Sequence, residues 1–188
     1  MARLFGLGRK TFKFRCPDCG EMHRGSPSIA YDRPLHHDHV PEAERAERVE
    51  LTSDTCLIRP PVAETDTEAM YFIRGVLEVP IADVDEPFTW GLWVSQSQSS
   101  FERYRATFGH DQSGDGSFGW LTVSMRPYLR HPAAEPLEYL ACNVPWQPKG
   151  RRPLIEIKPC DHPLYLDQRD GISWDRAIEI ARQALHGA

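Results

Sequence analysis

MYFIRGVLEVPIADVDEPFTWGLWVS, residues 70–95, decides the fold. Two apolar runs flank an acidic turn, Asp83-Val84-Asp85-Glu86-Pro87. Tyr71, Ile73, Leu77 and Val79 share one face of the first run at period two; Phe88, Trp90, Leu92 and Val94 share one face of the second. Aromatic and β-branched residues alternating around a turn cluster predict two paired strands. No other stretch concentrates Trp, Phe, Ile and Val to this degree, so the core begins here.

C-terminal to this hairpin, Ser99 or Ser100 caps a predicted helix reaching about Phe108, with Phe101, Tyr104 and Phe108 on one face. The run GHDQSGDG (109–116) is a loop, because Gly and Asp favour turns. Strands are predicted over Ser117–Met125, Leu137–Val144 and Pro153–Lys158, with 159–171 irregular. Ser173 caps a last helix through His186, striped by Trp174, Ala177, Ile178, Ala181 and Leu185. On the N-terminal side, 59–68 reads as a loop and EAERAER (42–48) as a short charged helix. Thr11–Arg15 alternates as a short strand leading into Cys16-Pro17-Asp18-Cys19-Gly20. The expected fold is α+β: a mostly antiparallel sheet covered by two helices, preceded by a small cysteine-knuckle, zinc-ribbon-like module. Its expected divisions are a flexible tail (1–10), the knuckle module (11–62) and the α+β domain (63–188).

Composition narrows the function. The 188 residues suffice for one ordinary domain, with 40% hydrophobic content. The net charge of −5 disfavours nucleic acid as a partner. No run approaches the roughly 20 apolar residues of a membrane helix, and Met1–Lys10 lacks the apolar core of a signal peptide. Five cysteines, two of them in C-x-x-C, suit a reducing cytoplasm.

The sharpest chemical signal is Cys16 and Cys19. Two thiolates separated by two residues, followed by Gly20, can face one tetrahedral ion from a tight knuckle. A second C-x-x-C is absent, so the expected ligand set is Cys16, Cys19, Cys56 and His23, holding a structural zinc. A redox pair and a metal-free loop are the alternatives. A redox motif would open a helix inside a βαβ unit, and Pro17-Asp18 does not. His36, His37 and His39 form a second histidine-rich stretch, read as a solvated loop or a competing source of the fourth ligand.

Four segments together resemble the uncharacterised bacterial family known as domain of unknown function 2199. They are CPDCGEMHRG, RVELTSDTCLI, FIRGVLEVPI with FTWGLWVSQS, and RPLIEIKPCDHPLYLDQRDGIS. The resemblance covers roughly Phe14 to Ala181. It implies a small, soluble bacterial protein and supplies no catalytic residue.

Outside the knuckle, Asp161, His162, Gln168 and Arg152 form the candidate polar site, with Cys160 beside them and Glu156 a possible addition. A Cys–His pair can activate a thiolate, yet Asp161 and His162 can equally fix a turn before Pro163. Cys142 alternates with Leu140 and Val144 and reads as core. Trp93 is the ring expected at the surface, facing a possible protein partner. Gly-x-Ser-x-Gly, P-loop and Gly-x-Gly-x-x-Gly patterns are absent. Two classes therefore stand: a non-enzymatic binding or interaction protein with a zinc-stapled module, and a small hydrolase- or transferase-like enzyme using Cys160-Asp161-His162.

Overall fold

The computed structural model of the chain describes residues 11–63, 67–130 and 137–186. The tail expected over 1–10 lies outside them. In chain order the strands are β1 (Lys13–Arg15), β2 (Met22–Arg24), β3 (Ser28–Ala30), β4 (Val49–Leu51), β5 (Thr55–Ile58), β6 (Met70–Val79), β7 (Phe88–Gln96), β8 (Gly116–Thr122), β9 (Tyr139–Pro145) and β10 (Glu156–Ile157). The helices are α1 (Leu35–Asp38), α2 (Glu42–Arg48), α3 (Gln98–Thr107), α4 (Pro163–Asp170) and α5 (Trp174–His186).

The expected hairpin is the centre of the sheet. β6 and β7 pair antiparallel from Tyr71 opposite Gln96 to Val79 opposite Phe88. That register sets Ile73 beside Val94 and Leu77 beside Trp90, and all four are buried. β5 and β4 extend the sheet beyond β6, and β8, β9 and β10 extend it beyond β7. β3 also pairs with β7, in parallel, at Thr89–Gly91; β8 meets the same strand at Val94 and Ser95. The fold is thus α+β with a mostly antiparallel sheet.

The path also returns to its own centre. Leu154, just before β10, bridges Val76 of β6 in parallel, and Val76 N–H donates to Pro153 O while Ile155 N–H donates to Val76 O. Gly75 permits this approach, since a Cβ there would lie 2.7 Å from Ile155 Cγ1. Gly119 is tighter still: a Cβ would stand 2.1 Å from Ser95 O, where β8 leans onto β7.

Alternation sorts the two faces of the hairpin. One face carries Trp90, Leu92 and Val94 into the main core with Phe101 and Tyr104 of α3, Leu164 of α4 and Ala177, Ile180 and Ala181 of α5. The other face places Phe72 and Trp93 in a smaller cluster with Val40, Cys56 and Ile58. Trp93 is therefore buried, with its indole N–H donating to Tyr31 O at 2.8 Å, not exposed as expected. Among the described residues the exposed rings are instead Phe118, Trp120 and Tyr139 on β8 and β9.

Of the stretch 11–62 expected as one module, only the β1–β2 hairpin forms a separate sheet; β3, β4 and β5 are strands of the large one. Phe12, Phe14 and Cys16 also sink into the main core. The segment 159–171, expected to be irregular, holds α4. Pro163 occupies its first turn, where a missing N–H costs nothing, and His162 caps it by accepting from Leu164 N–H at 3.2 Å. Histidine is not among the usual cap residues, so composition did not announce this helix.

Candidate metal centre

The knuckle sits at the tip of the β1–β2 hairpin. Cys16 N–H donates to Glu21 O and Gly20 N–H to Cys16 O, both at 2.8 Å. Gly20 takes φ +73°, a left-handed turn that a side chain would strain, and Arg15 Nη1 donates to its carbonyl at 2.7 Å. The register then sets His23 across from Phe14, whose ring stacks on the imidazole at 5.0 Å.

This brings Cys16, Cys19 and His23 together, with their ligand atoms all within 4.8 Å of one another. Cys19 Sγ lies 3.4 Å from His23 Nε2. That is a hydrogen-bond distance for a thiol and an imidazole. It is also close to the S···N edge, about 3.5 Å, of a tetrahedron with Zn–S near 2.3 Å and Zn–N near 2.0–2.1 Å. Burial works to raise the Cys16 thiol pKa. The N–H groups of Cys19 and Asp18 aimed at the sulfur, with the Cys19 thiol, outweigh it and hold the group below its ordinary value. Asp18, between the two cysteines, takes two hydrogen bonds from Arg182 of α5, at 2.9 and 3.0 Å. That pair spans 164 residues of chain and ties the knuckle to the last helix, a link no local pattern could reveal.

Cys56 does not join them. It is fully buried beside Val40, Ile58, Phe72 and Trp93 on the far face of the sheet, and burial pushes its thiol up to about 12. A thiol in that setting stays protonated and is a small core residue, not a ligand. The cause is the β5 alternation, which turns Cys56 and Ile58 to the same side. His36, His37 and His39 also lie elsewhere: His36 packs against Phe72 and Tyr139, and His37 contacts Asp38.

The candidate polar site divides. Arg152 Nε donates to Asp54 Oδ1 at 2.7 Å and Nη2 to Ser53 O at 3.3 Å, clamping the β4–β5 turn. Gln168 reaches from α4 to the sheet, accepting from Ile157 N–H at 2.9 Å and donating to Ile155 O at 2.7 Å. Its amide thus stands in for a neighbouring strand beside β10, which is only Glu156–Ile157. Asp161 pairs with Arg130 at 3.0 Å, and the guanidinium holds its carboxyl below the usual range. His162 is turned inward, 1% exposed, with Nδ1 on the helix cap and Nε2 3.4 Å from Glu138 Oε2. Neither Arg130 nor Glu138 was visible as a partner in the sequence.

These placements make His162 a structural group. Replacing it by Ala removes the α4 cap and a buried ring, and should lower unfolding free energy by about 1–2 kcal/mol. Chemical denaturation measures this; no loss would contradict the packing. Burial holds the His162 pKa below its ordinary value, Glu138 opposing and Arg130 reinforcing. The unfolded chain then takes up the proton more readily. Stability is complete above about pH 6.5 and falls as pH drops through that value toward the folded-state pKa. Burial shifts His36 in the same direction. His162→Asn keeps a capping acceptor but does not titrate, so it should shrink the stability lost between about pH 7.5 and pH 5.5. An undiminished loss in that variant would contradict the assignment.

The fold and hairpin together define a mixed α+β protein carrying an N-terminal Cys/His cluster able to hold a metal ion. Residues 15–172 match the family model described as "Uncharacterized protein conserved in bacteria (DUF2199)", and the chain belongs to that family. Comparison with curated proteins and with solved structures gives no match. Among the described residues, no helix is long and apolar enough to cross a membrane.

Proposed function

We propose that this is a non-enzymatic binding or interaction protein whose N-terminal hairpin is stapled by one zinc ion on Cys16, Cys19 and His23. The observation that carries the reading is the approach of two sulfurs and an imidazole nitrogen to within 4.8 Å at a knuckle. Two thiolates and an imidazole form a borderline-soft donor set, which suits zinc over the hard cations. Three protein ligands leave the fourth tetrahedral position to water, and in this reading the ion's role is to order the hairpin. Phe12 and Phe14 are few apolar anchors for the hairpin, whereas a structural zinc contributes about 10–16 kcal/mol of apparent binding free energy at neutral pH. Thiolate ligation also requires reduced cysteines, in keeping with a cytoplasmic location.

An enzyme built on Cys160-Asp161-His162 draws no support from the geometry. His162 is spent on the helix cap and Asp161 on Arg130. A binding role is favoured by Phe118, Trp120 and Tyr139, half-exposed together on the outside of β8 and β9. The test is zinc content of protein purified without chelator, followed by hydrogen exchange before and after zinc removal. One zinc per chain is expected, with removal loosening residues 11–25 while β6–β9 keep their protection. A metal-free, equally protected hairpin would refute the reading.

A further inference from the structure

The outer face of the β1–β2 hairpin carries charge that the described fold does not balance. Lys13 stands directly opposite Arg24 in the register, and both are exposed. Like charges placed opposite on neighbouring strands repel. Among the described residues neither cation forms an ion pair, while Arg15 on the same face is engaged with Gly20 O. A pocket of about 530 Å³ opens at this pair, lined by Thr11, Lys13, Arg24 and Trp174. The Trp174 indole is fixed there by its contact with Phe12, 4.7 Å between ring centres. Two cations, a hydroxyl and an aromatic wall converge on one concave space.

We propose that this pocket is a binding site for a small ligand in which a phosphate or carboxylate is attached to a planar ring. Opposed cross-strand residues have Cβ atoms about 5 Å apart, so both cationic heads can reach one anion. Arg24 offers a planar fork of donors and Lys13 a mobile point charge, while Thr11 adds a hydroxyl donor. The ring then lies against the Trp174 indole, which combines apolar area with a stacking face. A bound anion converts the Lys13–Arg24 repulsion into a bridge. The site is distinct from the metal cluster, because strand alternation sends Phe14 and His23 to the opposite face.

The probes are AMP, benzoate, inorganic phosphate and adenosine, titrated calorimetrically into the full chain. Indole N–H resonances are followed in parallel, with Trp174 assigned from Trp174→Phe. AMP or benzoate should bind with Kd of ~1 mM or tighter and ~10-fold more tightly than phosphate or adenosine. Binding should move the Trp174 resonance, and a preference for AMP or for benzoate identifies the anionic group. Lys13→Glu and Arg24→Glu should each weaken binding by ~10-fold or more. Either reversal pairs opposite charges across the strands, so both variants should fold at least as well as the parent. No binding by AMP or benzoate, binding unchanged in both variants, or a response at another indole would overturn the site. A ten-nucleotide single strand binding ~100-fold more tightly than AMP would overturn it in favour of a nucleic-acid backbone.

Discussion

Trp90→Ala is expected to cost about 3–5 kcal/mol of stability, the range for truncating a fully buried aromatic ring. Trp90 is wholly buried in the middle of β7, opposite Leu77, with Phe88 at 5.1 Å and Tyr128 at 6.1 Å on either side. Packing against β6 and against Tyr128 is therefore lost with one deletion, and the closed sheet path leaves little freedom to collapse into the void. A domain of this kind has about 5–15 kcal/mol in total, so the variant should be largely destabilised at moderate temperature. Among the described residues the indole N–H has no hydrogen-bond partner. Trp90→Phe consequently loses volume but no hydrogen bond, and should cost clearly less than Ala. Urea unfolding measures both, and a loss under about 1 kcal/mol for Trp90→Ala would contradict the central position of this ring.

Cys16→Ser should weaken zinc binding by ~100-fold or more, since each of three ligands carries a share of about 10–16 kcal/mol. Cys16 is the buried ligand, held by backbone N–H groups of the knuckle, so a serine oxygen there is both a poorer zinc donor and a worse fit to the site. The damage should be local: hairpin amides lose protection while those of β6–β9 do not. Cys56→Ser provides the contrast. It should leave zinc affinity unchanged and lower stability by about 1–3 kcal/mol, because it buries an unpaired hydroxyl between Phe72 and Trp93. Zinc loss in Cys56→Ser with zinc retention in Cys16→Ser would reverse the assignment.

The β6–β7 hairpin was legible because a half-buried strand writes its two faces in alternation, and both runs did so around an acidic turn. α3 and α5 were legible for the corresponding reason at helical spacing; Ser173 caps α5 as expected, whereas the α3 cap is Ser97, not Ser99 or Ser100. Alternation says which residues share a face and not what covers each face. Trp93 thus seemed the outward ring, although the outward side of β7 is roofed by the chain around Tyr31 and Val40. Cys56 failed similarly: as the only other cysteine before the central hairpin it pointed to the knuckle, while its strand turned it into the opposite cluster. The closure of Leu154 on Val76 and the Asp18–Arg182 pair join distant segments. They depend on the assembled sheet and leave no local trace. Cys16, Cys19 and His23 were readable because both their chemistry and their geometry are set within eight consecutive residues.

X-ray absorption at the zinc edge of the zinc-loaded full chain tests the metal assignment most directly. The expected spectrum has two sulfur scatterers at about 2.3 Å and an imidazole nitrogen at about 2.0–2.1 Å, with sulfur count unchanged in Cys56→Ser. Three sulfurs in the parent falling to two in Cys56→Ser, or a first shell of oxygen and nitrogen alone, would contradict it.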